Sequence, residues 1–424
     1  MRRSLAAAAL LAGLAVVGGP AAGAALAAGS STLTVGEFTP FSGADAAFGP
    51  ELAAGCIPAI RLINAQGGVM GHPLNCVEED TRGDPADAVP AADQMIASVS
   101  HLIGVLGPSS DEALATIPIL NRAQVPMFVE TGQAAFDHTT DKYFWRITPA
   151  DDVKGFALAL WAHRAGYTRA AAVFGSDVGS QSDVPTLLTA WKRLGGKMVI
   201  NQRIALDSSS YETEVEQLVQ AKPQVIFTEV DPQTGATYFS ELQQLHGLIP
   251  VIGTEVSLEG PWLRAVTDAL GSGPMAKYVE GMQPYAPPSG PAWKIYNKAL
   301  LAARASVPSP GQWSADPYTM TFYDAVNVMA LAMLKSHSTS RSVYDQSVVS
   351  VTAPGAGKKV VYSYAQGKAA LAAGKQIQYV GAGGLIAFNR WHNSTGAFEA
   401  AKYVHHKLVL VGSVSAGKIA QLSR

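Results

Sequence analysis

Six short loops carry residue types from which a recognition site could be built: 38–49, 107–111, 130–133, 175–180, 229–231 and 254–255. They combine glycines, which let a backbone come close, with hydroxyls and a few carboxylates. Ser109, Ser110 and Asp111 stand just ahead of a predicted helix, where unpaired N–H groups and the helix dipole favour an anion. Thr131 and Gln133 add donors nearby, while Asp177, Glu229 and Asp231 add negative charge. Glu255 follows an apolar strand and offers a counter-charge for a cation. An anion-binding patch opposite a single glutamate is what an α-amino acid requires. Each residue also has a plainer use: Ser109 or Ser110 as a helix N-cap, Glu255 as a solvated loop residue.

No catalytic constellation accompanies these loops. The chain has no G-x-S-x-G or H-E-x-x-H run and no Cys/His cluster with zinc spacing. Gly355-Ala356-Gly357-Lys358-Lys359 lacks the first P-loop glycine and the hydroxyl residue after the lysine. His405-His406 reads as an isolated pair in a strand, and the nine histidines supply no evident base–nucleophile pair. Neither a catalytic residue, a metal nor a cofactor is expected.

The elements that must position the loops follow from the apolar pattern. Short apolar runs alternate with amphipathic segments, which predicts mostly parallel sheets flanked by helices. Strands fall at 33–37, 74–77, 103–106 and 127–129, and a second series at 170–174, 198–204, 225–227 and 251–252. The helix opened by Pro50 carries Leu52, Cys56, Ala59, Ile60 and Ile63 on one face. Asp84-Pro85 is an N-cap followed by proline at the first helical position. Further helices fall near 112–122, 153–165, 184–194, 211–221 and 234–246. Two doubly wound α/β units result, and in such units ligands bind outside the C-terminal ends of the strands. The six loops all lie there. A proline-rich linker follows at 285–291, then an apolar helix at 319–334. Residues 336–375 are weakly patterned and read as a surface excursion, and 379–388 and 402–412 read as final strands.

At 424 residues, 48% hydrophobic and 15% charged, the chain has material for two buried cores. A net charge of −2 gives no electrostatic reason to expect nucleic acid. Arg2-Arg3, an apolar run at 5–17 and Ala25-Leu26-Ala27 fit a cleaved export signal at 1–27. No cysteine lies near it for a lipid anchor, so a soluble, monomeric protein in the periplasm or outside the cell is expected. The two cysteines, Cys56 and Cys76, fall on the first helix and on the strand beneath it. They are either buried free thiols or one bridge, and an oxidising compartment favours the bridge.

Pro40-Phe41-Ser42-Gly43, Phe48-Gly49, the run 63–71 and Asp80 together resemble the leucine/isoleucine/valine-binding family of type I periplasmic binding proteins. The likeness continues through Gly107-Pro108-Ser109-Ser110, Tyr323-Asp324-Ala325-Val326 and Gly381-Ala382-Gly383-Gly384. The resemblance implies a Venus-flytrap fold: lobe 1 from 32–149 plus 283–391, lobe 2 from 150–282 plus 392–424, with crossings near Pro149, Gly281 and Trp391. It places Ser109 or Ser110, Thr131 and Gln133 at a ligand carboxylate, Glu255 at an ammonium, and Phe48 at the cleft rim. Where many relatives have Asp-Tyr-Gly, this chain has Asp177-Val178-Gly179. A second aromatic position falls at Asp231-Pro232, so a polar or cationic amino acid or an amide fits as well as leucine. The implied partner is the membrane permease of an ABC importer. A sensor that signals through the same closure, and a secreted hydrolase, are the other readings.

Overall fold

Apolar runs a few residues long, each closed by a turn, form two separate parallel sheets. The computed structural model describes residues 31–423 apart from 44, 47, 287, 395 and the side chain of 152. The export signal expected at 1–27 lies outside the described residues. Strands β1 (Leu33–Thr39), β2 (Leu74–Asp80), β3 (Leu102–Leu106), β4 (Met127–Val129) and β5 (Phe144–Arg146) make the first sheet, in the order β2-β1-β3-β4-β5. Strands β6 (Arg169–Gly175), β7 (Lys197–Ile204), β8 (Val225–Glu229), β9 (Val251–Gly253) and β10 (Val279–Pro284) repeat this winding as β7-β6-β8-β9-β10. Within both sets all pairings are parallel. Three short strands, β11 (Lys359–Val361), β12 (Ile377–Gly381) and β13 (Gly384–Leu385), form a small sheet. The hairpin of β14 (Phe398–Val404) and β15 (Lys407–Val414) adds antiparallel to β10.

Each large sheet is covered on both faces by helices, and each face has its own apolar cluster. We call these layered bodies the first and second halves. The side on which successive strands are added reverses between β1 and β3 in one and between β6 and β8 in the other. These are the switch points where an α/β sheet opens a crevice. The helix Pro317–Ser336 is buried almost all round, as its near-continuous apolar run requires, and packs in the first half. No helix among the described residues is long and apolar enough to cross a membrane.

Two expectations are corrected. Residues 336–375 are not a surface excursion: Tyr344, Val348, Val351, Val361 and Tyr364 are buried in the first-half core. Tyr344 donates to the carbonyl of Ile103, and Tyr364 to that of Gly68 at 2.8 Å. The anchors sit one or two to an element of three to nine residues, too short for an amphipathic stripe to show. His405-His406 is not in a strand but forms the two-residue turn between β14 and β15, with φ of 50° and 61°. Such turns need φ > 0 at both positions and usually advertise themselves with Asn-Gly, which is missing here. Lys358, in the glycine-rich run, donates to the carbonyls of Ser350 and Ala353, both at 2.8 Å.

Cys56, on the helix Gly49–Ala65, is disulfide-bonded to Cys76 of β2. The bridge ties the helix to its own sheet across 20 residues of chain. Closing a loop of that length in the unfolded chain stabilises by about 3 kcal/mol. Reduction, or the double change Cys56→Ser and Cys76→Ala, is therefore expected to lower unfolding free energy by about that amount in urea titrations.

Candidate functional site

The C-terminal strand ends of both sheets close on one cavity of about 110 Å³. From the first half come the segment after β1 (Asp45, Phe48, Glu51), the start of helix Ser110–Arg122 (Ser109, Ser110, Asp111) and the turn after β4 (Glu130, Gly132). The second half supplies Asp177, Gly179 and Ser180 after β6, Leu206 after β7, Glu229 to Asp231 at the end of β8, and Glu255, Val256 and Glu259 after β9. Asp151 and Lys154, on the helix Asp151–Arg164, and Tyr318 complete the wall.

The two halves bond directly across it. Tyr318 donates its hydroxyl to Glu255 Oε1 at 2.7 Å, Gly179 N–H to Asp111 Oδ1 at 3.0 Å, and Asp151 N–H to the Gly132 carbonyl at 2.8 Å. A Cβ on Gly132 would lie 1.7 Å from Asp151 Oδ1, so the approach depends on glycine there. Phe48 reaches over and packs against the apolar cluster of the second half.

The wall carries ten carboxyl groups and a single amine, Lys154. Lys154 is 6% exposed and its Nζ lies 2.7 Å from Glu255, 3.2 Å from Asp183, 3.3 Å from Asp151 and 3.5 Å from Glu229. Burial alone would drive the ammonium toward neutrality. The surrounding carboxylates, Asp183 foremost, overcome this and hold Lys154 well above its ordinary value. Glu229 is pushed up to about 7 by burial, even with Lys154 pulling it down. Among the described residues, the wall carboxyls outside this hub form no ion pair. Burial, reinforced by Asp111 and Asp177, raises Asp45 to about 8. Burial, reinforced by Glu112, Asp316, Glu255 and Asp45, raises Glu130 to about 8. Glu51 and Glu259 are raised by burial and by facing Asp316 and each other's neighbours.

Seven of the nine residues expected at the site line the cavity: Phe48, Ser109, Ser110, Asp177, Glu229, Asp231 and Glu255. Thr131 and Gln133 do not. They are buried behind the wall, Thr131 accepting from Ser110 Oγ at 3.2 Å and Gln133 donating to the Ser110 carbonyl. The hydroxyl of Ser109 donates to both carboxylate oxygens of Glu112, at 2.8 and 2.9 Å, and its N–H donates to Glu112 Oε1 at 3.1 Å. Ser109, the N-cap of the helix expected to hold a ligand's anion, is therefore engaged by the chain's own glutamate. Asp177 and Asp231 serve as N-caps, accepting from Ser180 N–H at 2.6 Å and from Gln233 and Thr234 N–H at 2.8 and 2.9 Å. Glu255 is not a lone counter-charge; Lys154 and Tyr318 already share its Oε1.

Sequence reasoning missed Lys154, Glu51, Glu259 and Tyr318, and it selected the loops that hold Asp45 and Glu130 without singling out either residue. Asp151-Asp152-Val153-Lys154 reads as an exposed helix start, and a lysine is seldom this buried. Glu130 had a usable signal, since it directly follows the apolar strand β4.

Lys154→Met would leave four carboxyls around a missing cation and is expected to cost about 3–5 kcal/mol in denaturant unfolding. Asp45 and Glu130 hold protons in the folded state that the unfolded chain gives up near pH 4. The folded state thus binds more protons between about pH 4 and pH 8, and its stability falls as pH rises through that window. Melting of the ligand-free protein at about pH 5.5 and 8.5 checks this, and the slope should flatten in Asp45→Asn with Glu130→Gln.

Known proteins share this fold. Residues 32–370 match the sequence profile described as periplasmic binding protein. The Leu/Ile/Val-binding protein homolog 7 of Brucella abortus (strain 2308) is 38% identical over 117 residues, which is 27% of this chain and 28% of that protein. The match thus spans little more than a quarter of that relative. A leucine binding protein from Thermotoga maritima superposes with a TM-score of 0.73 at 16% identity, covering 91% of this chain and all of that one. A solute binding protein of an ABC transporter from R. palustris, in complex with benzoate, gives 0.72 at 16% identity, covering 91% and 96%. The folds agree where the sequences have diverged, and the profile spans most of the described residues. With its two wound sheets facing one cavity, this chain belongs to the periplasmic binding protein family.

Proposed function

We propose that this chain is the extracytoplasmic solute-binding component of an ABC importer, which captures a small polar, amine-bearing solute by closing two lobes. The lobes are 32–149 with 283–391, and 150–282 with 392–424. One observation carries the reading: a cavity enclosed between the strand ends of both sheets, with hydrogen bonds running from one half to the other. A ligand that touches both walls favours the closed state over an open one by its extra contacts. The released conformers differ in shape, which is what a membrane permease would read.

Capture rather than turnover fits the wall chemistry. The hydroxyls of Ser109 and Ser110 are spent on Glu112 and Thr131, and no histidine lines the wall. Capture is also consistent with what relatives are named for, leucine and benzoate among them. That range leaves the solute to be decided by this chain's own wall, where amines are favoured by the carboxyls.

Tyr318→Phe removes one hydrogen bond between the halves, worth about 1.5 kcal/mol or more because its acceptor is charged. The solute affinity of this variant is expected to fall about tenfold, with a larger radius of gyration at subsaturating ligand. Calorimetry paired with small-angle scattering measures both. Wild-type affinity with unchanged scattering would argue against closure.

A further inference from the structure

We propose that the cavity takes a small aliphatic diamine, a solute with two ammonium centres and no carboxylate, rather than a zwitterionic amino acid. This rests on the solute-capture reading and names the class of solute. Four observations lead to it.

First, the place a ligand carboxylate would take already has carboxylates beside it. Ser109, the N-cap there, gives its N–H and hydroxyl to Glu112, which also accepts from Thr81 Oγ1 at 3.0 Å. Asp111 stands two residues further on, in the first turn of that helix, and its Oδ1 takes the Gly179 N–H. A ligand carboxylate there would meet Asp45 and Asp111 with no arginine or second lysine on the wall to offset the repulsion. Second, cations are missing in two places. Lys154 accounts for Asp151, Asp183, Glu229 and Glu255. One uncompensated set is Asp45, Asp111 and Asp177, whose charges act on one another. Another is Glu51, Glu130 and Glu259, with Asp316 facing Glu51. Third, three buried carboxylate oxygens on the wall have no hydrogen-bond partner: Glu51 Oε1, on a residue 1% exposed, Glu255 Oε2, on one 5% exposed, and Asp231 Oδ2. Glu51 comes from the first half and the other two from the second. They are acceptors awaiting donors, and an ammonium brings three. Fourth, the wall also carries apolar side chains. Phe48, Leu206, Val230 and Val256 offer a surface for the methylenes between two amines, which a bare metal ion would not use.

Binding and protonation are then linked. In the ligand-free cavity Asp45 and Glu130 hold protons. A dication favours their ionised forms, so binding releases protons and tightens as pH rises from about 6 to about 8. An anionic ligand would do the reverse.

The test is titration calorimetry on the full mature protein with 1,4-diaminobutane, leucine, glutamine, benzoate and calcium chloride, in two buffers of different ionisation enthalpy. The result expected is saturable binding of 1,4-diaminobutane with net proton release. Glu51→Gln and Glu130→Gln, shaped like the protonated acids, should each weaken it about tenfold while the ligand-free melting temperature holds or rises. Leucine, glutamine or benzoate binding in preference to the diamine would overturn the diamine assignment and leave solute capture standing. Calcium binding without diamine binding would overturn it in favour of a metal. If none of these solutes binds and a broad solute panel leaves melting unchanged, both the diamine assignment and solute capture fall.

Discussion

Everything at the cleft depends on one buried ammonium. Lys154 lies where four carboxyls from four segments converge: its own helix, Asp183, the end of β8 and the turn after β9. A buried charge persists only when partners repay its lost hydration, and here the partners are in surplus. Through Glu255 the hub also reaches Tyr318 of the other half, so the residue that makes the acidic wall tolerable also takes part in joining the halves.

The surplus has a physical meaning. Carboxyls beyond the reach of Lys154 cannot all ionise within a few ångströms of one another, so the empty cavity holds protons instead. Such an arrangement costs stability, and sites of this kind are where proteins commonly accept that cost for function. Protonated acids give up their protons readily when a cation binds beside them, because the cation favours the ionised form. The apolar residues between them, and the overlap of Phe48 with the far half, shape the space without adding charge.

Much of the scaffold was legible in the sequence, and less of the site. The paired windings could be read because apolar runs such as 103–106 and 225–227 are short, continuous and bounded by turns. The rule that ligands gather at strand ends correctly located the cavity loops, including Asp177, Glu229 and Asp231. What failed was pairing. Nothing in the local pattern says that Glu112 turns back onto Ser109, or that Lys154 finds Glu255 a hundred residues away, because ion pairs between segments leave no periodic trace. For the same reason Tyr344 and Val348, isolated anchors in short helices, read as surface although they are core. Family resemblance supplied an amino-acid site by position, but position does not carry charge balance.

The charge balance of the cavity is the central claim, and a crystal structure of the protein soaked in 1,4-diaminobutane addresses it most directly. The account predicts both halves closed on the diamine, with its two nitrogens about 3 Å from carboxylate oxygens that include Glu51 Oε1 and Glu255 Oε2. Density for a carboxylate lodged against Ser110 and the start of its helix, in the same crystals or in protein carrying its native solute, would contradict it.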